Sequence, residues 1–319
     1  MLSEFKNILI VGFGASSLNL RALLSATPIH TKHFHFLDTL DPYSVSSMLA
    51  KIDKDTAIIF ISKSGNTHET NLLLEHMKSY PNIFILSSGA TSNMYKIAQT
   101  IKHIWLPYPD SVSGRFALLE KPFLDIVATA GVGTDEISKT AANIDKKNAI
   151  NIAEKWVENF ENGKKNWVII SYSSQMQGLC LWLRQIISES LGKNGFGIMP
   201  ILAEGSMDEH SQLQLFLDGP DDKFYDIISS RYNTSSSRQL ADAQTEHAFM
   251  VEEMLKNKGR DVNHKCYDDI NAHVVGDYIR TYAEVVRIIA DKLGFDPYNQ
   301  SAVEDIKQKS SPFPEINRT

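Results

Sequence analysis

Cysteine is nearly absent. The 319 residues hold two, Cys180 and Cys266, too few for a disulfide framework, and neither stands in a Cys-x-x-Cys or paired-histidine spacing that would hold structural zinc. A basic excess is absent too: 32 Lys and Arg stand against 38 Asp and Glu, for a net charge of -6. That balance argues against a nucleic-acid scaffold, which needs a basic face to displace counterions. No apolar run approaches the roughly 20 residues of a membrane-spanning helix; stretches such as Trp167–Ile170 and Val285–Ala290, the latter interrupted by Arg287, fall far short. The opening Met1-Leu2-Ser3-Glu4-Phe5-Lys6 has no basic stretch followed by an apolar one and a small-residue cleavage site, so no secretory signal is expected and a cytoplasmic location is. What is present is a chain that is 43% hydrophobic, enough for a sizeable core and two domains.

Along the first third, apolar runs of strand length alternate with amphipathic stretches such as Thr67–Tyr80. Strands are expected at Asn7–Val11, His33–Leu37, Ala57–Ile61, Asn82–Leu86 and His103–Leu106, each with β-branched or aromatic content. This alternation implies right-handed parallel crossovers and a doubly wound α/β sheet, with ligands at the carboxyl ends of the strands. Residues 117–163 look helical throughout. A second α/β half is then expected: strands at Trp167–Tyr172, Gly197–Leu202 and Lys223–Ile228, helices at Gln175–Leu191 and after Ser206, and long helices over Arg238–Lys256 and Tyr267–Leu293. The expected domains are residues 1–140 and 141–295, with a C-terminal segment over 296–319.

Two loops stand out. Gly12-Phe13-Gly14-Ala15-Ser16-Ser17 follows the first strand, where glycines permit a tight backbone at a helix N-terminus able to receive an anion. With Asp38 at the end of the second strand it also imitates a dinucleotide fingerprint, although Ser17 replaces the third glycine. After the third strand, Ser62-Lys63-Ser64-Gly65-Asn66-Thr67-His68-Glu69-Thr70 packs four hydroxyls and a glycine into one strand-to-helix junction. Hydroxyls beside helix N-terminal amides suit a phosphate monoester, and Thr67 and Thr70 are spaced to share one face of the first turn. A single Ser or Thr here is an ordinary helix cap; this density goes beyond one.

That loop, with Leu37-Asp38-Thr39-Leu40-Asp41-Pro42 and Asp55-Thr56, resembles the sugar isomerase (SIS) domain, and the chain is similar more specifically to the glucose-6-phosphate isomerase family. Four further motifs occur in the family's order. Ser113-Gly114-Arg115-Phe116 resembles the segment whose arginine faces the reacting carbons, and Ser188-Glu189-Ser190-Leu191-Gly192-Lys193 the one whose glutamate is the base. Glu204–Gln212 resembles the segment carrying the ring-opening histidine, His210, and Tyr298–Lys307 the signature in which Gln300 binds phosphate and Lys307 serves the ring oxygen. Without that context Arg115 and Glu189 would be taken as solvated surface residues, and His210 as a structural hydrogen-bonder.

The resemblance implies two SIS-type doubly wound subdomains with predominantly parallel sheets, the last segment returning to the active site, and interconversion of glucose 6-phosphate and fructose 6-phosphate through a cis-enediolate. It implies Glu189, His210, Lys307 and Arg115 as catalytic groups, and Ser16, Ser62, Ser64, Thr67, Thr70 and Gln300 on the substrate phosphate. It further implies no cofactor or metal, and a homodimer in which His210 comes from the neighbouring subunit. The family's usual N-terminal helical region is expected to be lacking, because the first glycine loop begins at residue 12, and Ala15 and Glu209 stand where the family commonly has glycine and glutamine. Two alternatives stay open: a non-catalytic phosphosugar-binding protein on the same fold, and a dinucleotide-dependent dehydrogenase resting on Gly12, Gly14 and Asp38.

Overall fold

The computed structural model describes residues 2–25, 31–231 and 238–303. Asn7–Val11 (β1), His33–Leu37 (β2), Thr56–Ile61 (β3), Ile83–Ser87 (β4) and His103–Pro107 (β5) pair in parallel in the order β2-β1-β3-β4-β5. Every residue of β3 is buried, as a parallel sheet covered on both faces requires. Ala15–Ser25 (α1), Pro42–Leu49 (α2), His68–Met77 (α3) and Asn93–Ala98 (α4) make the crossovers. Leu9, Val11, Ile58, Phe60 and Ile85 on one face meet Leu73, Leu74 and Met77 of α3 and Met94 of α4. The alternate residues Ile8, Ile10, Ala57, Ile59 and Phe84 are equally buried, as the period of two along a strand dictates.

The helical stretch expected over 117–163 is broken. It resolves into a 3-10 turn at Gly114–Leu119, then Lys121–Ala128 (α5), Thr134–Ala141 (α6) and Lys146–Glu161 (α7). Gly131, at φ 88°, interrupts the run, and the Asp145 carboxylate starts α7 afresh by accepting from the Asn148 N–H at 3.1 Å.

The second sheet comprises Asn166–Ser171 (β6), Met199–Glu204 (β7), Lys223–Ser230 (β8) and Asp261–Tyr267 (β9), parallel in the order β7-β6-β8-β9. Its helices are Gln177–Leu191 (α8), Gly205–Glu209 (α9), Leu213–Asp218 (α10), Arg238–Asn257 (α11) and Ala272–Leu293 (α12). One face packs Val168, Ile170, Tyr225 and Ile227 against Ala248, Val251 and Leu255 of α11. Across the other, Trp167 lies against Trp156 of α7 and Tyr282 of α12, with ring centroids 4.5 and 5.7 Å apart. Strand β9 corrects the sequence expectation: Tyr267 ends a strand rather than starting a helix, and α12 begins only after Asn271, whose side chain accepts from the Val274 N–H at 3.1 Å.

Both sheets are parallel and flanked by helices, so the expected α/β class holds. By internal contacts the described residues form two units, one of 2–20, 31–131 and 298–303, the other of 21–25, 132–231 and 238–297. Residues 132–140 thus go with the second unit and 298–303 with the first. No helix among the described residues is long and apolar enough to cross a membrane.

Candidate active site

In a sheet ordered β2-β1-β3-β4-β5 the winding reverses between β1 and β3, and ligands bind in the crevice at the carboxyl ends of those strands. The two loops singled out in the sequence leave from those ends. They run so close that a Cβ on Gly12 would lie 2.9 Å from the carbonyl oxygen of Ile61 and 2.8 Å from the Cβ of Ser16. Ser16 is half-buried in the first turn of α1. Asp38, the residue behind the dinucleotide alternative, accepts from the Ser17 hydroxyl at 3.1 Å, which gives it a structural task inside this loop.

The hydroxyls between β3 and α3 are wired to one another. Ser62 Oγ and Thr67 Oγ1 are 2.8 Å apart, and Ser62 Oγ also accepts from the Gly65 N–H at 3.2 Å. Ser64, exposed, accepts from the Asn66 N–H at 3.1 Å. Gly65 sits at φ 65°, and a Cβ there would lie 2.2 Å from Ser92 Oγ, so both conformation and space demand glycine. Thr67, directly ahead of α3, makes no side-chain cap bond to the helix; its hydroxyl is turned to Ser62 instead. Helices leave their first amides without internal partners, so the start of α3 keeps donors that an anion can use. In the same turn Thr70 is fully buried and its hydroxyl has no hydrogen-bond partner among the described residues, a state that costs on the order of 1–3 kcal/mol unless something satisfies it.

Arg115 is not a surface residue: it is 3% exposed, in the 3-10 turn Gly114–Leu119. Its Nη1 donates to Gln300 Oε1 at 2.8 Å and its Nη2 to the Asn299 carbonyl at 2.9 Å. The structure therefore brings together Arg115 and Gln300, two residues that the sequence places 185 positions apart. Two contacts that sequence reasoning missed hold the turn itself. Lys63 Nζ, inside the hydroxyl loop, donates to the carbonyls of Asp110 and Val112 at 2.9 and 2.7 Å, and Asn19 Nδ2 donates to the Gly114 carbonyl at 3.0 Å. The motif containing Lys63 was the one available signal; nothing marks Asn19 in advance.

In the second unit Glu189 lies half-buried in the last turn of α8, where Gln185 Nε2 donates to its Oε1 at 3.0 Å. The four-residue helical spacing makes that partner legible in retrospect. His210 caps the short helix α9 and is exposed. The turn before it is held by buried groups. Glu209 accepts from the Tyr172 hydroxyl at 2.5 Å through one oxygen and meets His247 Nδ1 at 2.9 Å through the other. Burial, and then the Glu209 contact, push the Tyr172 phenol well above its ordinary range. Burial opposes ionisation of Asp208, but hydrogen bonds from Gln212, Ser211 and the Glu204 N–H hold its carboxyl below the usual range. Lys307 lies outside the described residues.

Another constellation emerges that no motif announced. His264 Nε2 is 2.8 Å from Ser229 Oγ and its Nδ1 is 2.6 Å from Glu252 Oε2, the order of a nucleophilic triad. Ser229 is fully buried and the His264 side chain is 3% exposed, so no substrate atom reaches this hydroxyl and the three tie β8, β9 and α11 together. Of the two cysteines, Cys180 is buried and its thiol is pushed up to about 12 by that burial, then by the charge of Asp226. Among the described residues no cluster of His, Cys, Asp and Glu suits a metal ion.

No family model matches the chain. In sequence it is 29% identical, over 96% of its length and 84% of the relative's, to a glucose-6-phosphate isomerase of Methanocaldococcus jannaschii. In structure it is similar to a glucose-6-phosphate isomerase of Chlamydia trachomatis, with a TM-score of 0.80 at 19% identity over 98% of this chain and 72% of that one. It is also similar to the tagatose-6-phosphate ketose/aldose isomerase of Escherichia coli, with a TM-score of 0.61 at 14% identity over 93% and 85% of the two chains. By sequence the chain is a homologue of the glucose-6-phosphate isomerases, and by architecture it carries the SIS fold of phosphosugar isomerases.

Proposed function

We propose that this chain is an aldose–ketose isomerase interconverting glucose 6-phosphate and fructose 6-phosphate by ring opening and a cis-enediolate. The observation that carries this reading is the tie within the first unit, where Lys63 of the hydroxyl-rich loop holds the carbonyls of Asp110 and Val112 that lead into buried Arg115. An anion-receiving helix start and a fixed cation joined in one piece suit a substrate with phosphate at one end and charge developing at the other.

Each remaining group has a distinct task. Glu189 takes the proton from one carbon and returns it to the neighbour; His210 and Lys307 serve the ring oxygen and anomeric hydroxyl, positioned proton transfers of about 10²–10⁴-fold each. Arg115 stabilises the enediolate oxygens without becoming an acid, because guanidinium stays protonated. Ser16, Ser62, Ser64, Thr67, Thr70 and Gln300 hold the phosphate, whose binding energy fixes the sugar's orientation. No nicotinamide cofactor takes part, since the hydrogen moves within one molecule. The working unit in this reading is a cytoplasmic homodimer in which each site borrows His210 from the neighbouring subunit, and the exposure of that residue supports it.

The test is a coupled assay of pure protein with glucose, mannose and fructose 6-phosphates, with and without EDTA. Conversion of glucose 6-phosphate that persists in EDTA and is absent with free glucose supports the reading. Stabilisation by NAD alone, with no conversion, overturns it. Mixing Glu189→Gln and His210→Ala subunits regenerates part of the activity if sites are shared; verified hybrids without recovery reject the sharing.

A further inference from the structure

The short stretch Tyr298–Gln300 meets the Arg115 turn through its backbone and side chains, and three of these contacts set the arginine. Two are the guanidinium bonds, 2.8 Å to Gln300 Oε1 and 2.9 Å to the Asn299 carbonyl. The third is an edge-to-face contact between Tyr298 and Phe116, with centroids 5.1 Å apart; the Arg115 guanidinium itself lies 5.8 Å from the Phe116 ring centre. A guanidinium is a rigid planar fork. Fixing both of its Nη atoms on consecutive residues of one segment therefore sets not only where the charge sits but how the plane is turned.

These two acceptors are neutral oxygens, so the bonds they accept orient the guanidinium without setting a formal negative charge against it, as a carboxylate in the same place would. They also fix the glutamine. Its carbonyl end faces the arginine donors, which leaves the amide nitrogen facing away with its own donors to offer.

We infer that Gln300 is a positioning residue, whose side-chain carbonyl, together with the Asn299 main-chain carbonyl, aims the Arg115 charge at the oxygens of the reacting carbons. This rests on the role proposed for Arg115 above. Phosphate binding through the Gln300 amide is a separate property that moves a different kinetic constant. Loss of phosphate contact raises KM, whereas misaiming a group that acts only in the transition state lowers kcat.

Two substitutions in the full chain decide it. Gln300→Met keeps the length and removes the acceptor; Gln300→Glu keeps an acceptor at the same atom. Gln300→Met is expected to lower kcat by about 10-fold or more, since small misplacements of catalytic groups cost up to about 10², while KM stays within about 3-fold. A rise in KM at parental kcat overturns the proposal in favour of phosphate binding alone. The second readout does not depend on activity: the side-chain NMR signals of Arg115, assigned by their loss in Arg115→Lys. Hindered guanidinium rotation is expected in the parent and in Gln300→Glu, and faster rotation in Gln300→Met, which keeps the Asn299 carbonyl bond and loses the Gln300 one. Unchanged Arg115 signals in Gln300→Met overturn the positioning role. A parent protein without isomerase activity but with hindered Arg115 signals would instead fault the catalytic reading and leave the hold intact.

Discussion

Strand β3 of the first unit buries six residues with no ionisable group among them, whereas strand β8 of the second buries both Lys223 and Asp226 within eight residues. The first unit keeps ionisable groups out of its three inner strands, confines its strand histidines to the edge strands β2 and β5, and places its hydroxyl cluster beyond the strand ends. The second carries polar chemistry through its interior. Asp226 accepts from Tyr282 at 3.1 Å and from Asn263 at 3.0 Å, and His264 bridges Ser229 and Glu252 on the opposite face. Two sheets of the same parallel kind thus divide their labour. One sheet has no ionisable group in its inner strands; the other places a buried carboxylate and a buried lysine in a central strand.

The largest expected effect tests the inner strands of the first sheet. Phe60→Ala removes a fully buried ring from the first sheet and is expected to cost about 3–5 kcal/mol, read from denaturant unfolding. A loss near zero would mean that this sheet does not depend on its apolar interior. Next, Glu189→Gln keeps the shape and the helix position beside Gln185 and is expected to lower turnover by at least about 10²-fold at unchanged melting temperature. Near-parental turnover would return Glu189 to the status of a helix surface residue.

The third prediction sharpens the loop's side of the comparison. Gly65→Ala places a methyl against Ser92 at a positive φ, and is expected to destabilise by about 1–3 kcal/mol and to raise KM more than it lowers kcat. The smallest effect tests the interior of the second unit. Burial, opposed by the Lys265 charge and by hydrogen bonds, raises the carboxyl pKa of Asp226, so the folded chain holds that proton more tightly than the unfolded one. Its contribution is complete below the ordinary carboxylate range and is lost as pH rises through the raised value. Glu252 runs the other way. Burial is outweighed there by bonds from Lys256 and His264, the pKa falls, and its contribution is lost as pH falls. Asp226→Asn is therefore expected to flatten the decline of stability on the alkaline side and Glu252→Gln the decline on the acid side. Superimposable pH profiles for parent and both variants would show that neither group is coupled to folding.

The same division explains what the sequence disclosed. The strands of the first sheet lie within a residue or so of their expected bounds, and the inner ones are written as apolar runs such as Ala57–Ile61. Strand β9 was not legible: Asp261-Val262-Asn263-His264-Lys265-Cys266-Tyr267 is mostly polar, and its fitness as a strand depends on partners such as Asp226 and Ser229 that only the fold supplies. The hydroxyl loop and Arg115 were legible as motifs, whereas the bonds that fix them were not. Lys63 acts on main-chain carbonyls nearly fifty residues away, and a carbonyl carries no sequence signature. Glu209, which looked like a simple departure from the family pattern, proves to be the residue that Tyr172 and His247 hold.

The first unit draws on residues made after the second. Residues 2–131 leave the ribosome long before Asn299 and Gln300, yet those two supply acceptors to the Arg115 guanidinium. Chains elongate from the N-terminus and fold unit by unit as they emerge. A nascent chain ending near residue 297 can thus carry both sheets and the hydroxyl loop while these two oxygens are missing. Completion of the guanidinium's setting is in this way timed by translation itself, and a product truncated before Asn299 would carry both sheets without the aim.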